Sequence, residues 1–260
     1  MIRMPVFAGH FYPQQASILR QQLSAYLQAV AVAGSSAIKA MIVPHAGYQY
    51  SAPIAASAYA QLAPIAANIS RVVLLGPSHR IGFNGLALSQ AQAFATPLGN
   101  AELDNQAQQA LSSLPFVGYL EQAHAQEHCL EVQLPFLQML LPAFKIVPIV
   151  VGFASVAQVS QVINLLWDGA ETLVLISSDL SHYHDYATAQ NLDNATSRYI
   201  QDLDYQQLSA ECACGYLPIS GLLQTLQEKS LSIKAVDVRN SGDTAGDKRR
   251  VVGYGAYVVN

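Results

Sequence analysis

The sequence predicts a single α/β domain in which helices flank a central sheet that is mainly parallel or mixed. Short apolar runs alternate with longer segments of helical periodicity along all 260 residues, and this alternation is typical of βαβ units. Hydrophobic residues make up 52% of the chain and charged residues 12%, which allows a large buried core. No break in composition divides the chain, so we expect one domain over residues 1–260.

Apolar runs bounded by polar or turn-forming residues predict the strands, and segments with one apolar face predict the helices. In chain order, strands are expected near residues 39–45, 71–76, 84–89, 144–151, 171–177, 233–238 and 251–259. Helices are expected between them, near residues 14–31, 53–66, 102–113, 130–141, 155–168, 186–203 and 217–228. Residues 95–100 and 240–247, which are rich in Gly, Asn and Asp, are predicted to be loops.

Three of the predicted strands end abruptly beside a histidine. Residues 42–43 lead into His45, residues 72–75 into His79, and residues 173–176 into Asp179 and His182. Ligands bind outside the carboxyl ends of parallel strands in open α/β sheets. The pattern therefore predicts a polar site at one edge of the sheet, where His45 and His79, from successive strands, are expected to lie side by side.

A metal ion is the ligand that these side chains favour. Neutral imidazole suits Zn, Cu, Fe and Ni, and a thiolate adds preference for the softer metals. Cys214 precedes a glycine and a predicted helix start, where the helix dipole favours the thiolate. Taken singly, a histidine at a strand end is more often a hydrogen-bonded loop residue, and a single cysteine is more often a small core side chain.

Asp179 and His182 allow two interpretations. The aspartate could accept a hydrogen bond from a ligating imidazole or bind the metal itself, and the histidine could be a ligand or a proton shuttle. Alternatively, Ser178, Asp179 or Ser181 caps the helix predicted from residue 186. The two interpretations are compatible, because a cap would keep its neighbours at the carboxyl end of the strand.

The remaining pocket candidates precede predicted helices or follow a predicted strand. Glu127 and His128 come before the segment that starts at residue 130, so they are either helix-capping residues or an acid/base pair. His10 and Tyr12 lie in a turn before the first helix, and Tyr48 closes the segment that contains His45. We place all five in the pocket, although packing would explain the tyrosines equally well.

Composition and missing motifs exclude several classes of function. The net charge is −4, and the one dense basic cluster, Lys248-Arg249-Arg250, follows two aspartates and is predicted to be a solvated turn, so we expect no nucleic-acid partner. No apolar stretch reaches the length of a membrane span. The odd set of Cys129, Cys212 and Cys214 argues against a secreted disulfide framework and favours the cytoplasm. Phosphate-binding glycine loops and the Gly-x-Ser-x-Gly elbow are lacking.

Five short motifs occur together and in order. Residues 9–13 read Gly-His-Phe-Tyr-Pro, 44–48 Pro-His-Ala-Gly-Tyr, 76–79 Gly-Pro-Ser-His, 178–182 Ser-Asp-Leu-Ser-His and 214–219 Cys-Gly-Tyr-Leu-Pro-Ile. With residues 127–135 and 240–243, they resemble the Memo family, whose microbial members are called AmmeMemoRadiSam system protein B. The resemblance implies the fold of class III, LigB-type extradiol dioxygenases.

By this resemblance, His45, His79 and Cys214 would be the metal ligands. Asp179 and His182 would line the same pocket as catalytic residues, with His182 in the position of the dioxygenases' acid/base histidine. The resemblance implies iron or copper, with zinc as a third option, and a radical-SAM enzyme as a partner. The dioxygenases use two histidines and a carboxylate, so the thiol of Cys214 prevents direct transfer of their reaction. Cys129 stands where the family commonly has serine.

Three functions follow from these expectations. The first is a redox-type metalloprotein, dioxygenase-like, that oxidises a small molecule in the cleft. The second is a non-catalytic module that binds a peptide or protein partner in the same cleft. The third is a zinc-dependent hydrolase in which His182 or Asp179 is the base.

Overall fold

A computed structural model describes residues 1–32 and 38–259, and its strands form one mixed sheet. In chain order the strands are β1 (Ile2–Arg3), β2 (Ala40–Val43), β3 (Arg71–Pro77), β4 (Leu86–Leu88), β5 (Ala93–Thr96), β6 (Gly99–Leu103), β7 (Val117–Tyr119), β8 (Lys145–Val151), β9 (Thr172–Ser177), β10 (His182–His184), β11 (Ile233–Asn240) and β12 (Val251–Val259). The seven predicted strands are all present among these twelve.

The helices lie between the strands, as the alternating pattern predicts. They are α1 (Ala16–Gln28), α2 (Tyr48–Tyr59), α3 (Asn105–Leu111), α4 (Glu121–Ala125), α5 (Leu134–Leu140), α6 (Val156–Leu165), α7 (Tyr186–Gln201) and α8 (Tyr216–Lys229). Short 3₁₀ segments cover Ala60–Asn68, Glu131–Gln133, Tyr205–Gln207 and Ser241–Asp243. None of the helices in the described ranges is long and apolar enough to cross a membrane.

Four neighbouring parallel strands, in the order β8-β3-β9-β2, form the centre of the sheet. Their side chains are buried on both faces, as is usual when helices cover a parallel sheet on both sides. One apolar cluster packs α1, α2 and α5 against one face, and a second packs α3, α6 and α8 against the other. The sheet is therefore a rigid base for whatever side chains follow its strand ends.

The edges of the sheet differ from the prediction. The expected loop at residues 95–100 is instead the turn of a β5–β6 hairpin, in which Thr96 pairs with Gly99. Strands β1, β7 and β10 and helix α4 were not predicted, because elements of two to five residues are too short to show a hydrophobic period.

His45 and His79 come close together, as expected, although the strands that they follow are not neighbours in the sheet. His45 and His79 follow strands that are successive in our prediction, but β9 lies between β2 and β3 in the sheet. Residue 43 of β2 is in register with residue 177 of β9, and residue 75 of β3 with residue 176. The two histidines therefore face each other across the end of β9 rather than across one strand spacing.

Candidate functional site

Three of the four central strands place a polar residue two positions beyond their last residue. β2 is followed by His45, β3 by His79 and β9 by Asp179. Because the three strands are parallel, these residues meet at one edge of the sheet. The backbone N–H of His45 donates to Asp179 Oδ1 at 2.7 Å, which ties the ends of β2 and β9 together.

His45 and His79 share this edge with a third histidine. His128 belongs to the loop after α4, and its ring centroid lies 4.6 Å from that of His79 and 5.2 Å from that of His45. The centroids of His45 and His79 are 5.1 Å apart. One ring nitrogen from each histidine lies within 4.8 Å of the other two. The three side chains thus form a cluster that could hold a metal ion.

Hydrogen bonds fix the tautomer of His45. Ser177 Oγ donates its only hydrogen to the carbonyl of Cys129 at 2.6 Å and accepts one from Gln133 Nε2 at 2.8 Å. It can therefore only accept from His45 Nδ1, which lies 3.0 Å away. Nδ1 carries the hydrogen, and the lone pair of Nε2 is free. Burial lowers the pKa of His45 well below its usual range, and His128 and His79 lower it further, so the ring is neutral.

A buried carboxylate orients His79 in the same way. Glu127 Oε1 accepts from His79 Nδ1 at 2.8 Å, and Glu127 Oε2 accepts from the backbone N–H of His79 at 2.7 Å. Burial acts to raise the pKa of Glu127, but its contacts with His128 and His79 outweigh burial and lower the pKa far below the usual range. An ionised Glu127 leaves Nε2 of His79 as the free ring nitrogen, an arrangement common for metal-binding histidines.

His128 is the least constrained of the three rings. Its Nδ1 is buried and makes no hydrogen bond, although it lies 3.2 Å from Glu127 Oε1. Phe11 packs beside it, with 4.9 Å between ring centroids. The sequence indicated His128 as a pocket residue, but the strand-end pattern did not link it to His45 and His79, because His128 follows no strand. The adjacent carboxylate of Glu127 was the available signal.

Cys214 lies beside His45, with 3.3 Å between Sγ and Nε2. It precedes α8, as predicted, with Gly215 as the N-cap. The helix start does not produce a thiolate in this structure. Burial raises the pKa of Cys214 to about 12, and the nearby charge of Asp179 adds to the effect. The neutral thiol can therefore donate to the free Nε2 of His45.

A cavity of about 860 Å³ opens beside the histidine cluster. Its walls include the three clustered histidines, Asp179 and His182, together with the loop before β12. Burial raises the pKa of Asp179, although the N–H of His45 acts in the opposite direction. Cys214 instead lines a second cavity of about 350 Å³, and His79 borders both. The histidine cluster therefore lies between the two cavities.

The capping interpretation of residues 178–181 is wrong. Asp185 caps α7 by accepting from the N–H groups of Ala187 and Thr188 at 3.1 Å. Asp179 is occupied by His45 instead. The segment between β9 and α7 forms the short strand β10, which pairs with β12 and brings His182 to the cavity.

Four of the five predicted pocket residues do not line the large cavity. Glu127 is buried behind His79, to which its carboxylate is hydrogen-bonded. His10 is exposed at the tip of its turn, while Phe11 faces the cavity. Tyr12 is buried and donates to Glu131 at 2.7 Å, and Tyr48 is buried and donates to the carbonyl of Val132 at 2.6 Å. The tyrosines therefore have the packing role that the sequence also allowed.

Glu131 and Arg3 form a buried ion pair that supports the loop carrying Glu127 and His128. Arg3 Nη1 lies 2.7 Å from Glu131 Oε2. The same guanidinium donates to the carbonyls of His124 and Glu127 at 2.8 Å. Because both charges are buried, each needs the other for compensation. The ion pair therefore holds the N-terminal segment against this loop.

Fold and site together define an α/β protein with a candidate metal-binding cluster of three histidines, His45, His79 and His128, at the carboxyl edge of its sheet. The model of the family described as "Memo-like protein" matches residues 3–258. MEMO1 family proteins of Sulfolobus acidocaldarius and Methanosarcina mazei are each 35% identical to this chain, over 98% and 99% of both sequences. The chain belongs to the Memo family.

A similar fold occurs in a solved structure of low sequence identity. An uncharacterized protein, JW3007, from Escherichia coli K12 superposes with a TM-score of 0.55. It is 10% identical and covers 86% of this chain and all of its own. This likeness concerns the fold alone.

Proposed function

We propose that the protein is a redox-type metalloprotein that binds iron or copper through His45, His79 and Cys214 and acts on a small molecule in the adjoining cavity. The fixed tautomers of two histidines carry this proposal. Ser177 and Glu127 occupy Nδ1 of His45 and of His79, which leaves Nε2 of both rings free to bind a metal ion. The two histidines belong to one candidate metal-binding group. Metal-binding histidines need this hydrogen bonding at the second nitrogen.

The donor set favours a transition metal. Imidazole nitrogens suit iron, copper and zinc, and a thiol that loses its proton on metal binding shifts the preference toward the thiophilic members. His128, whose Nδ1 lies 3.2 Å from Glu127 Oε1, belongs to the same group and supplies a further nitrogen donor. A bound iron or copper ion supplies one-electron redox chemistry, which the side chains themselves lack.

The chain's own residues would position the small molecule and move its protons. Asp179 and His182 line the large cavity next to the cluster. The raised pKa of Asp179 means that it holds a proton more readily than an exposed aspartate. His182 is part of the short β10 strand and is only partly buried, so it can exchange protons between the cavity and solvent.

Metal analysis of protein purified without chelators or added metal tests the proposal. We expect near-stoichiometric iron or copper in the wild type, and its loss in His45→Ala and in Cys214→Ala. His184→Ala is the matched control, since His184 is an exposed histidine of β10 outside the cluster. Protein that contains no metal after anaerobic, reducing purification, and takes none up on addition, would sink the proposal.

The ligand set is tested separately by absorption spectroscopy. A thiolate–metal charge-transfer band is expected in the copper- or cobalt-loaded wild type and in His128→Ala, but not in Cys214→Ala. A wild type that binds the metal without this band, and whose metal binding is lost in His128→Ala but kept in Cys214→Ala, would replace the thiol by the third histidine. Stoichiometric zinc together with ester or amide turnover would favour a hydrolase instead.

A further inference from the structure

We infer that Arg250 is an anion-binding residue at the mouth of the large cavity, and that the small molecule bound there carries a carboxylate. This inference rests on the proposed function, because it identifies the chemical class of the molecule at the same site. Arg250 lines the cavity that also contains His45, His79 and His128. The sequence indicated only a solvated turn at this position.

The pairing of β10 with β12 brings Arg250 to the cavity. His182 is in register with Val252, and His184 with Val251, in this antiparallel pair. Arg250 immediately precedes β12 and lies over the ring of Tyr183, 4.5 Å from its centroid. The same ring makes an edge contact with His182 at 5.7 Å. One tyrosine thus holds the guanidinium beside the histidine proposed to move protons.

The backbone of Tyr183 is held in an uncommon conformation. Its φ is 65°, in the left-handed region that non-glycine residues rarely adopt, and 62% of the residue is exposed. Because Tyr183 is largely exposed, burial of its side chain contributes little stabilisation that could offset the cost of this backbone conformation. Its contacts are with the Arg250 guanidinium and the His182 ring, and strain of this kind is concentrated at ligand-binding sites.

Arg250 has no carboxylate partner among the described residues, whereas its neighbours do. Asp247 also lines the cavity, but Arg249 Nε donates to it at 2.7 Å, so the charge of Asp247 is compensated. Arg239 is likewise paired with Asp237 at 2.5 Å. The guanidinium of Arg250 is left as an uncompensated positive charge, with its donors available for a ligand.

The surroundings favour a monoanion with an apolar body. Phe11, Tyr50 and Tyr254 supply aromatic surface to the cavity wall. A planar guanidinium matches a carboxylate with two parallel hydrogen bonds. Arg250 brings a single positive charge to the cavity wall, which balances a monoanionic carboxylate but only half the charge of a dianionic phosphate. A small organic carboxylate is therefore the class that fits.

Calorimetric titration with benzoate and with its neutral analogue benzamide tests the inference on the purified protein. We expect saturable benzoate binding that is about 10-fold to 100-fold weaker in Arg250→Met, the usual range for losing a charge-assisted pair. Benzamide affinity should be the same in both proteins. Arg198→Met is the matched control, because Arg198 is an exposed arginine of α7 away from this cavity.

Two outcomes would overturn the inference: no saturable benzoate binding to the wild type, or equal benzoate affinity in the wild type and Arg250→Met. A second variant, Tyr183→Gly, keeps the left-handed backbone while removing the ring, and should weaken benzoate binding about 2-fold to 5-fold. Repeating the titration with His45→Ala separates the two proposals. Arg250-dependent binding that persists there supports the anion site even if metal analysis has rejected the metal centre.

Discussion

Replacing Glu127 by Gln should weaken metal binding without changing any proposed ligand. The Glu127 carboxylate accepts three hydrogen bonds: from the backbone N–H of His79 at 2.7 Å, from His79 Nδ1 at 2.8 Å and from the backbone N–H of Cys129 at 3.1 Å. An amide of the same shape has one accepting oxygen and one donating nitrogen. In either orientation of Gln, at least one of these N–H groups faces another donor.

The size of the effect follows from the two orientations. If the amide nitrogen faces His79 Nδ1, the ring is driven to the other tautomer, and the lone pair of Nε2 is lost from the site. If it faces the backbone N–H of His79, the ring keeps a neutral and weaker acceptor. Loss of such an orienting partner typically costs about 10-fold to 100-fold in metal affinity. The buried unpaired donor should lower the unfolding free energy of the metal-free protein by about 1–3 kcal/mol.

Competition with a chromophoric chelator measures the metal affinity, and urea unfolding of the metal-free protein measures stability. Glu121→Gln is the control, since Glu121 is an exposed residue six positions earlier that contacts Ser89 rather than the histidines. We expect the control to retain wild-type affinity. Metal affinity in Glu127→Gln within twofold of the wild type would refute the argument that Glu127 sets the tautomer of His79.

Three further substitutions test other parts of the structure. Ser177→Ala removes the hydroxyl shared by His45, Gln133 and the Cys129 carbonyl, so urea unfolding should show a loss of about 2–4 kcal/mol; a loss below 1 kcal/mol would contradict the network. His124 is buried with its pKa lowered to about 4, so the unfolded chain binds its proton more readily and stability falls as pH drops from about 6.5 toward 4. His124→Gln should remove about 2 kcal/mol of the stability change between pH 7 and pH 5, and identical pH profiles would disprove this. A Cβ at Gly76 would lie 2.5 Å from Cys129 Sγ, so Gly76→Ala should lower the unfolding free energy by about 1–3 kcal/mol. Adding Cys129→Ala should recover part of that loss, and simple additivity of the two changes would argue against the clash.

The sequence was sufficient to predict the strands and helices that have a long hydrophobic pattern. The central strands were predicted because both of their faces are buried, which makes them continuous apolar runs. The placement of His45 and His79 at one edge follows from those strand ends. The spatial order of β2, β9 and β3 could not be predicted in this way, because periodicity carries no information on which strands pair.

The rest of the site depends on contacts that are distant in sequence. His128 reaches the cluster through a loop anchored by Arg3, about 125 residues earlier in the chain. Tyr12 and Tyr48 belong to the same motifs as site residues, yet their hydroxyls are used by Glu131 and by a backbone carbonyl. A local motif indicates which residues come near a site, but not which of them face it.

The position of β2 in the sheet also dictates when the site can form during synthesis. Its two partner strands, β9 and β12, both come from residue 172 onward. His45 is therefore synthesised early. The strand that precedes it, β2, has no strand to pair with until most of the chain has left the ribosome. Domains generally fold as units once their contacts are available, so His45 can join His79 and His128 only after the segments that form β9 and β12 have been synthesised.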